Sequence, residues 1–395
     1  GRTVNESELG SWLDKARKKI EKLSRPHPHL LGRRTVFGVM PDWNPAEIIG
    51  LKPHALALTL YKELITDSIW AYMRNNYGYR NLRSFPLLVS LLGVPYIDVR
   101  VSFNSFIPKG LPDQLATRLI NYYLDRLEDN PQSDDKVEFD IVFSCYYPGI
   151  RSNIYKLKEH GFSEDDVDLI LAELRTLTKR IINPNGFLTE DLNKIEMLRI
   201  RRKQVVESGM STIDKIYWLI EDCKRYGTLP FSGLARAGFV AIQFLHGLVH
   251  AGIFSEIEYH EFMGSLTTIP TRIGFDIDKL KKNKITRDKF IDIYGHLRPG
   301  TYDIQSSRYD EAFEQYFPKS LLLASPKEKH IDFSLTQTQE VEIQNLLDSE
   351  EFEISASDLF KFIRGGIEGR EYAKLIFTHS LSDALVFIES LGKQC

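Results

Sequence analysis

From Ser163 onward the chain repeats one grammar, and it narrows the fold more than any other feature. "SEDDVDLILAELRTLTKRI" opens on a Ser cap with acidic residues in the first turn. A side-chain oxygen there satisfies a free backbone N–H, and negative charge suits the positive end of the helix dipole. "LTEDLNKIEMLRIRRKQVVES", "STIDKIYWLIEDCKRYG" and "TRDKFIDIYG" follow the same plan. The segment from Thr338 to Leu391 reads as two or three further helices, among them "SASDLFKFIRGGIEGREYAKLIF" and "SLSDALVFIESLG". The N-terminal third also carries helical patterns, over Glu6 to Leu23 and Ala55 to Asn75, but one stretch of it changes character. In "SFPLLVSLLGVPYIDVRVSFNSF" two apolar, β-branched runs flank a Gly-Val-Pro turn signal. They predict strands over Leu87 to Leu92 and Tyr96 to Ser102. The alternation in "KVEFDIVFSCY" predicts a third. The expected class is α+β, mainly α-helical, with one small antiparallel sheet in the N-terminal third.

The 395 residues suffice for two or three domains. The reading divides them into an N-terminal helix and linker (1–34), a mainly helical domain with the small sheet (35–317), a linker (318–337) and C-terminal helices (338–395). A hydrophobic content of 43%, a charged content of 27% and a net charge of −3 describe a globular chain without a basic field for nucleic acid. "RIRRK" at Arg199 to Lys203 reads as a solvated helix face. The three cysteines lie far apart in sequence and form no CxxC, which fits a reducing, cytoplasmic setting. "AGFVAIQFLHGLVHAGIF", the longest apolar run, carries Gln and two His and reads as a core helix rather than a membrane span. No signal-peptide pattern opens the sequence.

Two stretches concentrate chemistry. A regular strand through "YIDVRVSFN" places Asp98, Arg100, Ser102 and Asn104 on one face. Such a face is either solvated or a polar binding surface. The second stretch is "YGHLRPGTYD". Gly295 is placed to end a helix in a left-handed cap, and Pro299 and Gly300 to force a turn. His296, Arg298, Tyr302 and Asp303 then share a tight loop. An imidazole moves protons near neutral pH, and a guanidinium fits carboxylate or phosphate. The structural alternative is a capping loop in which Arg298 pairs with Asp303. Arg80 and Arg83 in "YGYRNLR" are secondary candidates. His246 and His250 lie four apart, but their apolar helix favours core or interface histidines over a metal site. The sequence contains neither GxxxxGK[ST] nor GxGxxG, so this chain by itself is not expected to bind ATP.

"DWNPAEIIGLKPHALALTL", with Trp43, Asn44, Glu47, Gly50, Pro53 and Leu56, resembles the start of the middle region of phosphoenolpyruvate-synthase and pyruvate-phosphate-dikinase-like phosphotransferases. "YGHLRPGTYDIQSSRYDE" resembles the Gly-His-Arg-Gly-Pro loop that ends that region. Leu297 stands where many members have Arg, and Thr301 and Tyr302 where many have Glu. The resemblance spans roughly Thr35 to Ser390. It implies an acceptor-binding region lacking its ATP-grasp and phospho-His domains, with ATP and Mg²⁺ used by the full-length enzyme and no cofactor held here. "GVMPDWNPAEIIG", "LITDSIWAYMRNNYGYRNLRSFPLL" and "PYIDVRVSFNSF" look closest to a subgroup found in surface-polysaccharide gene clusters. That points to the amide nitrogen of L-glutamine as acceptor, for capsular phosphoramidate. On this reading Arg100, Asn104, Arg298 and Asp303 hold the acceptor, and His296 or Arg298 assists transfer. Pyruvate or an antibiotic hydroxyl as acceptor, and a non-catalytic helical scaffold, are the rivals.

Overall fold

The computed structural model describes residues 6–318 and 332–394, so most of the expected linker lies outside the described residues. The chain is mainly helical, with one three-stranded sheet in its N-terminal third. It divides into two compact units. The first comprises residues 1–144 and 154–174, the second residues 145–153 and 175–395. The N-terminal helix therefore belongs to the first unit and the C-terminal helices to the second.

The sheet consists of β1 (Phe37–Gly38), β2 (Leu88–Leu91) and β3 (Val94–Asp98), in the antiparallel order β1-β3-β2. Leu88 faces Ile97 and Leu91 faces Val94 across the hairpin, while Phe37 faces Asp98. The two-residue turn is Leu92-Gly93, both at positive φ (54° and 86°), the backbone that tight hairpins require. Val94 and Pro95 already belong to the second strand, so the turn precedes the predicted Gly-Val-Pro position.

Two predicted strands are corrected. β3 stops at Asp98, and Val99–Asn104 is a helix with every residue buried. Asp98 ends the strand by capping that helix: its carboxylate accepts from the Val101 N–H at 3.2 Å. The β-branched valines favour a strand locally, but burial on all sides outweighs that weak preference. "KVEFDIVFSCY" is not a strand either. Val137–Ile141 forms a wide helical turn closed by Val142 N–H to Val137 O at 2.9 Å, and the third strand is Phe37–Gly38. That turn buries Glu138, whose carboxylate lies 3.7 Å from buried Arg74.

In the second unit the helix Leu229–His250 packs along the long C-terminal helix Ala356–Gly392. The latter is continuous across both expected C-terminal segments despite Gly365, Gly366 and Gly369. The packing accounts for two of the glycines at the crossing. A Cβ on Gly366 would sit 3.1 Å from the backbone of Ala237, and one on Gly238 3.4 Å from the Gly366 carbonyl. Close backbone approach offsets the entropic cost of glycine in a helix. Two helical stretches, Thr212–His250 and Ala356–Gly392, are long and apolar enough to cross a membrane, and 72% and 50% of their most apolar windows are buried. The apolar run read from the sequence lies mostly in the first of them, where Val240, Phe244 and Leu248 are core residues.

Candidate functional site

In the first unit, the residues expected on one polar strand face are individually committed to holding the fold. The Asp98 carboxylate accepts from Thr35 Oγ1 at 2.6 Å as well as capping its helix. Burial pushes its pKa up, and the Thr35 hydrogen bond opposes that. Arg100 is buried, and its guanidinium donates to the carbonyls of Leu23 (2.6 Å) and Arg25 (2.9 Å). Leu23 lies in the last turn of the N-terminal helix Glu6–Ser24 and Arg25 directly after it, where carbonyls lack intrahelical donors and a cation is favoured. Asn104 accepts from Leu31 N–H and donates to Leu31 O and Arg100 O. Ser102 donates to Asp42 at 2.9 Å, and Asp42 pairs with Arg74 at 2.8 Å in a nearly fully buried bridge. The expectation of a shared strand face is therefore corrected: these are helix caps and backbone clamps.

The secondary arginines sit at the surface. Arg80 pairs with Asp113 at 2.7 Å. Arg83 lies 5.0 Å over the Tyr72 ring and donates to Asn81. His246 stacks near Tyr259, while His250 packs against Gly149, so the two histidines have different partners. Among the described residues no group of three or more His, Cys, Asp or Glu is placed to hold a metal ion.

The loop "YGHLRPGTYD" belongs to the second unit, and it docks on the long C-terminal helix. Gly295 ends the helix Arg287–Tyr294 with right-handed backbone (φ −58°), not the expected left-handed cap. Its requirement is space: a Cβ would lie 2.5 Å from the Ile291 carbonyl oxygen and 3.1 Å from Asp310. The chain then returns on itself, Tyr309 N–H bonding Leu297 O and Asp310 N–H bonding Gly295 O. Arg298 bonds the backbone carbonyl of Asp303 at 3.3 Å, rather than its carboxylate, and Ser382 Oγ at 3.2 Å. Ser382 in turn donates to the His296 carbonyl at 2.8 Å. Tyr302 is buried, and burial raises its pKa. The Asp303 carboxylate accepts from Gln305 N–H within the loop.

His296 is 3% exposed. Its Nε2 lies 3.0 Å from Leu375 O, and a carbonyl only accepts, so Nε2 carries the proton. Nδ1 is left buried as a bare acceptor with no hydrogen-bond partner among the described residues. The ring stacks on His379, 4.0 Å between centroids and 5° from parallel. Burial, then the neighbouring imidazole, lowers the His296 pKa well below the ordinary value. Burial, then Arg202 and Arg308, lowers that of His379 to about 3. Both rings are therefore neutral at pH 7.

One turn along, Asp383 receives Arg202 at 2.5 Å and Arg308 at 3.2 Å, with His379 Nε2 at 4.0 Å. Arg308 also grips Asp310 with two hydrogen bonds. His379 and Arg202 side chains are each 21% exposed, so solvent reaches this edge of the cluster and not His296. Asp383 and Asp310 balance the two guanidinium groups, so the solvent edge offers a neutral imidazole beside ion-paired arginines, whose planar forks fit carboxylate or phosphate oxygens when a ligand replaces the aspartate.

Sequence reasoning missed His379, Asp383, Arg202 and Arg308 as site residues. A signal existed: "THSLSD" is a polar interruption in an apolar helix, with His and Asp four apart. "RIRRK" is not simply a solvated face, since Arg201 pairs with Asp222 at 2.9 Å and Arg202 with Asp383. No protein-family model, curated protein or solved structure matches the chain.

Proposed function

We propose that this chain is the acceptor-binding middle region of a phosphotransferase that passes a phosphoryl group from ATP through a phospho-histidine to a small acceptor. The preferred acceptor is the amide nitrogen of L-glutamine, which makes the full-length protein an L-glutamine kinase of capsular phosphoramidate synthesis, working in the cytoplasm. ATP and Mg²⁺ would act on domains outside this chain, and the ATP-grasp and phospho-His domains are its partners. The resemblance of the two motif stretches supports the family. One geometric observation supports the chemistry: Arg202 and Arg308 converge on Asp383 beside neutral His379, at the edge of the loop that the resemblance selects.

On this reading the transferring phosphoryl oxygens or the acceptor carboxylate take the place of Asp383 on the two guanidinium groups. His379, with the exposed imidazole edge, is the group able to meet the acceptor. His296 and Arg298 position it by fixing the loop on the helix. Arg100 and Asn104 leave the acceptor set, because both are buried and engaged with backbone groups, whereas the Arg202 and His379 side chains keep an edge in solvent.

Calorimetric titration of the chain with L-glutamine and with pyruvate tests the acceptor. Binding of L-glutamine alone is expected, weakened about tenfold or more by Arg202→Gln through loss of a charge-assisted contact. Pyruvate binding would move the protein to the first rival reading, and binding of neither to a helical scaffold. In the full-length protein His379→Gln is expected to slow transfer to L-glutamine while leaving phospho-histidine formation from ATP intact.

A further inference from the structure

A cleft of about 680 Å³ lies in the first unit, outside every group discussed so far. One wall is a stripe of the helix Asp113–Asp129: Arg118, Asn121, Tyr122, Asp125, Arg126 and Asp129. Their spacing of three and four residues gives one helical face. Leu119, Tyr123, Leu124 and Leu127 point the other way into the core. Arg33 and the corner His160–Phe162 complete the lining.

The walls are fixed. Arg118 donates to Asp166 at 2.8 Å and to Gly161 O at 2.6 Å, with its guanidinium 4.4 Å over the Phe162 ring. The Arg33 N–H donates to Asn121 Oδ1 at 3.0 Å, which ties the arginine's backbone to the stripe. Tyr122 meets His160 edge-on at 4.8 Å and Phe162 edge-on at 6.2 Å, forming an aromatic corner.

The charges that remain decide what fits. Asp125 is neutralised by Arg34 at 2.5 Å, and Arg118 by Asp166. Arg126 spends one N–H on Ile141 O at 3.3 Å. Among the described residues neither Arg33 nor Arg126 has a carboxylate partner, and the one acid of the cleft without an ion pair is Asp129. Two guanidinium groups without carboxylate partners, Arg126 lying 6.0 Å over the Phe143 ring, against one unpaired carboxylate favour an anion. An aromatic corner beside them favours a flat ring. A volume within the ~300–1,000 Å³ of small-molecule sites admits both in one ligand.

We infer that this cleft binds a mononucleotide, with its phosphate on Arg33 and Arg126 and its base in the corner between Tyr122 and His160. Guanidinium groups suit phosphate oxygens, and bases stack readily on aromatic rings. The inference does not rest on the phosphotransferase reading, since no residue is shared with the His379 cluster.

The test titrates the chain at low salt with adenosine 5′-monophosphate, adenosine and inorganic phosphate. The monophosphate is expected to bind with Kd below about 1 mM, and each half-ligand at least tenfold more weakly. Arg33→Gln is expected to weaken the monophosphate about tenfold, the cost of one charged hydrogen-bonding group. Arg33 is exposed and its backbone contact survives the substitution, so this variant keeps the fold. Lys203→Gln, on the second unit, is the control and should bind as wild type. Inorganic phosphate binding as tightly as the monophosphate would overturn the inference, as would no binding at all or an Arg33→Gln variant with unchanged affinity.

Discussion

At the scale of single residues, the most instructive side chain is Arg100. An arginine in an alternating polar run invites a ligand-binding role. Its guanidinium instead closes the carbonyl end of the N-terminal helix, and its stem packs beside Gly32, where an added Cβ would meet it at 3.4 Å. Arg100→Ala should therefore act on stability. Two charge-assisted hydrogen bonds to carbonyls and a buried stem would be lost, a cost of roughly 2–4 kcal/mol. Urea denaturation measures it, and a variant as stable as wild type would return Arg100 to the list of free binding groups. Neighbouring residues teach the same lesson. Asp98, Ser102 and Asn104 look like a binding surface in sequence because each is polar, yet each is polar in order to satisfy a specific buried group.

At the scale of elements, the loop after Tyr294 and the C-terminal helix form one device. Their contact is a pair of stacked imidazoles, both neutral at pH 7. This carries a signed pH dependence. A histidine whose folded pKa is depressed binds fewer protons in the native state than in the unfolded chain. Its stabilisation is complete above the unfolded value near 6.5 and is lost as pH falls toward the folded pKa, about 3 for His379. Between pH 7 and pH 5 His379 alone should cost up to about 2 kcal/mol, from 1.36 kcal/mol per pH unit below 6.5. His296 adds in the same direction. Urea midpoints at pH 7 and pH 5 should show that loss in the wild type and a smaller one in His379→Gln. Equal losses in both proteins would mean that the stacked pair does not set the acid sensitivity.

At the scale of the whole molecule, two compact units should respond separately to local damage. Hydrogen exchange tests this. Arg100→Ala should speed amide exchange in the helix Glu6–Ser24 and in Val99–Asn104, leaving Arg287–Tyr294 and the C-terminal helix at wild-type rates. His379→Gln should do the reverse. Exchange that rises equally in both units for either variant would make the chain one cooperative body. The division also bears on the sequence reading of a single domain over 35–317. Residues 98–104 belong to the first unit and His296 to the second, so each polar stretch has its own local explanation.

Much was legible without coordinates. Caps and periodicity marked the helices, because a helix start leaves backbone donors that Ser or Thr must meet: Ser211, Thr286 and Ser355 all accept the N–H three residues on. The hairpin was legible because its positive-φ turn needs Gly93. The loop at His296 was legible because Gly295, then Pro299 and Gly300, interrupt the helical pattern there. What only the tertiary structure decided is where polar side chains spend their hydrogen bonds. The strand at Asp98 gives way to a helix because its surroundings bury every side of Val99–Asn104. Gly366 sits inside a helix because Ala237 passes against it. Arg202 and Asp383, 181 positions apart, meet because two helices bring them together. Local sequence carries propensities of a fraction of a kcal/mol per residue, whereas burial and close packing contribute several, so wherever the two disagreed the packing prevailed.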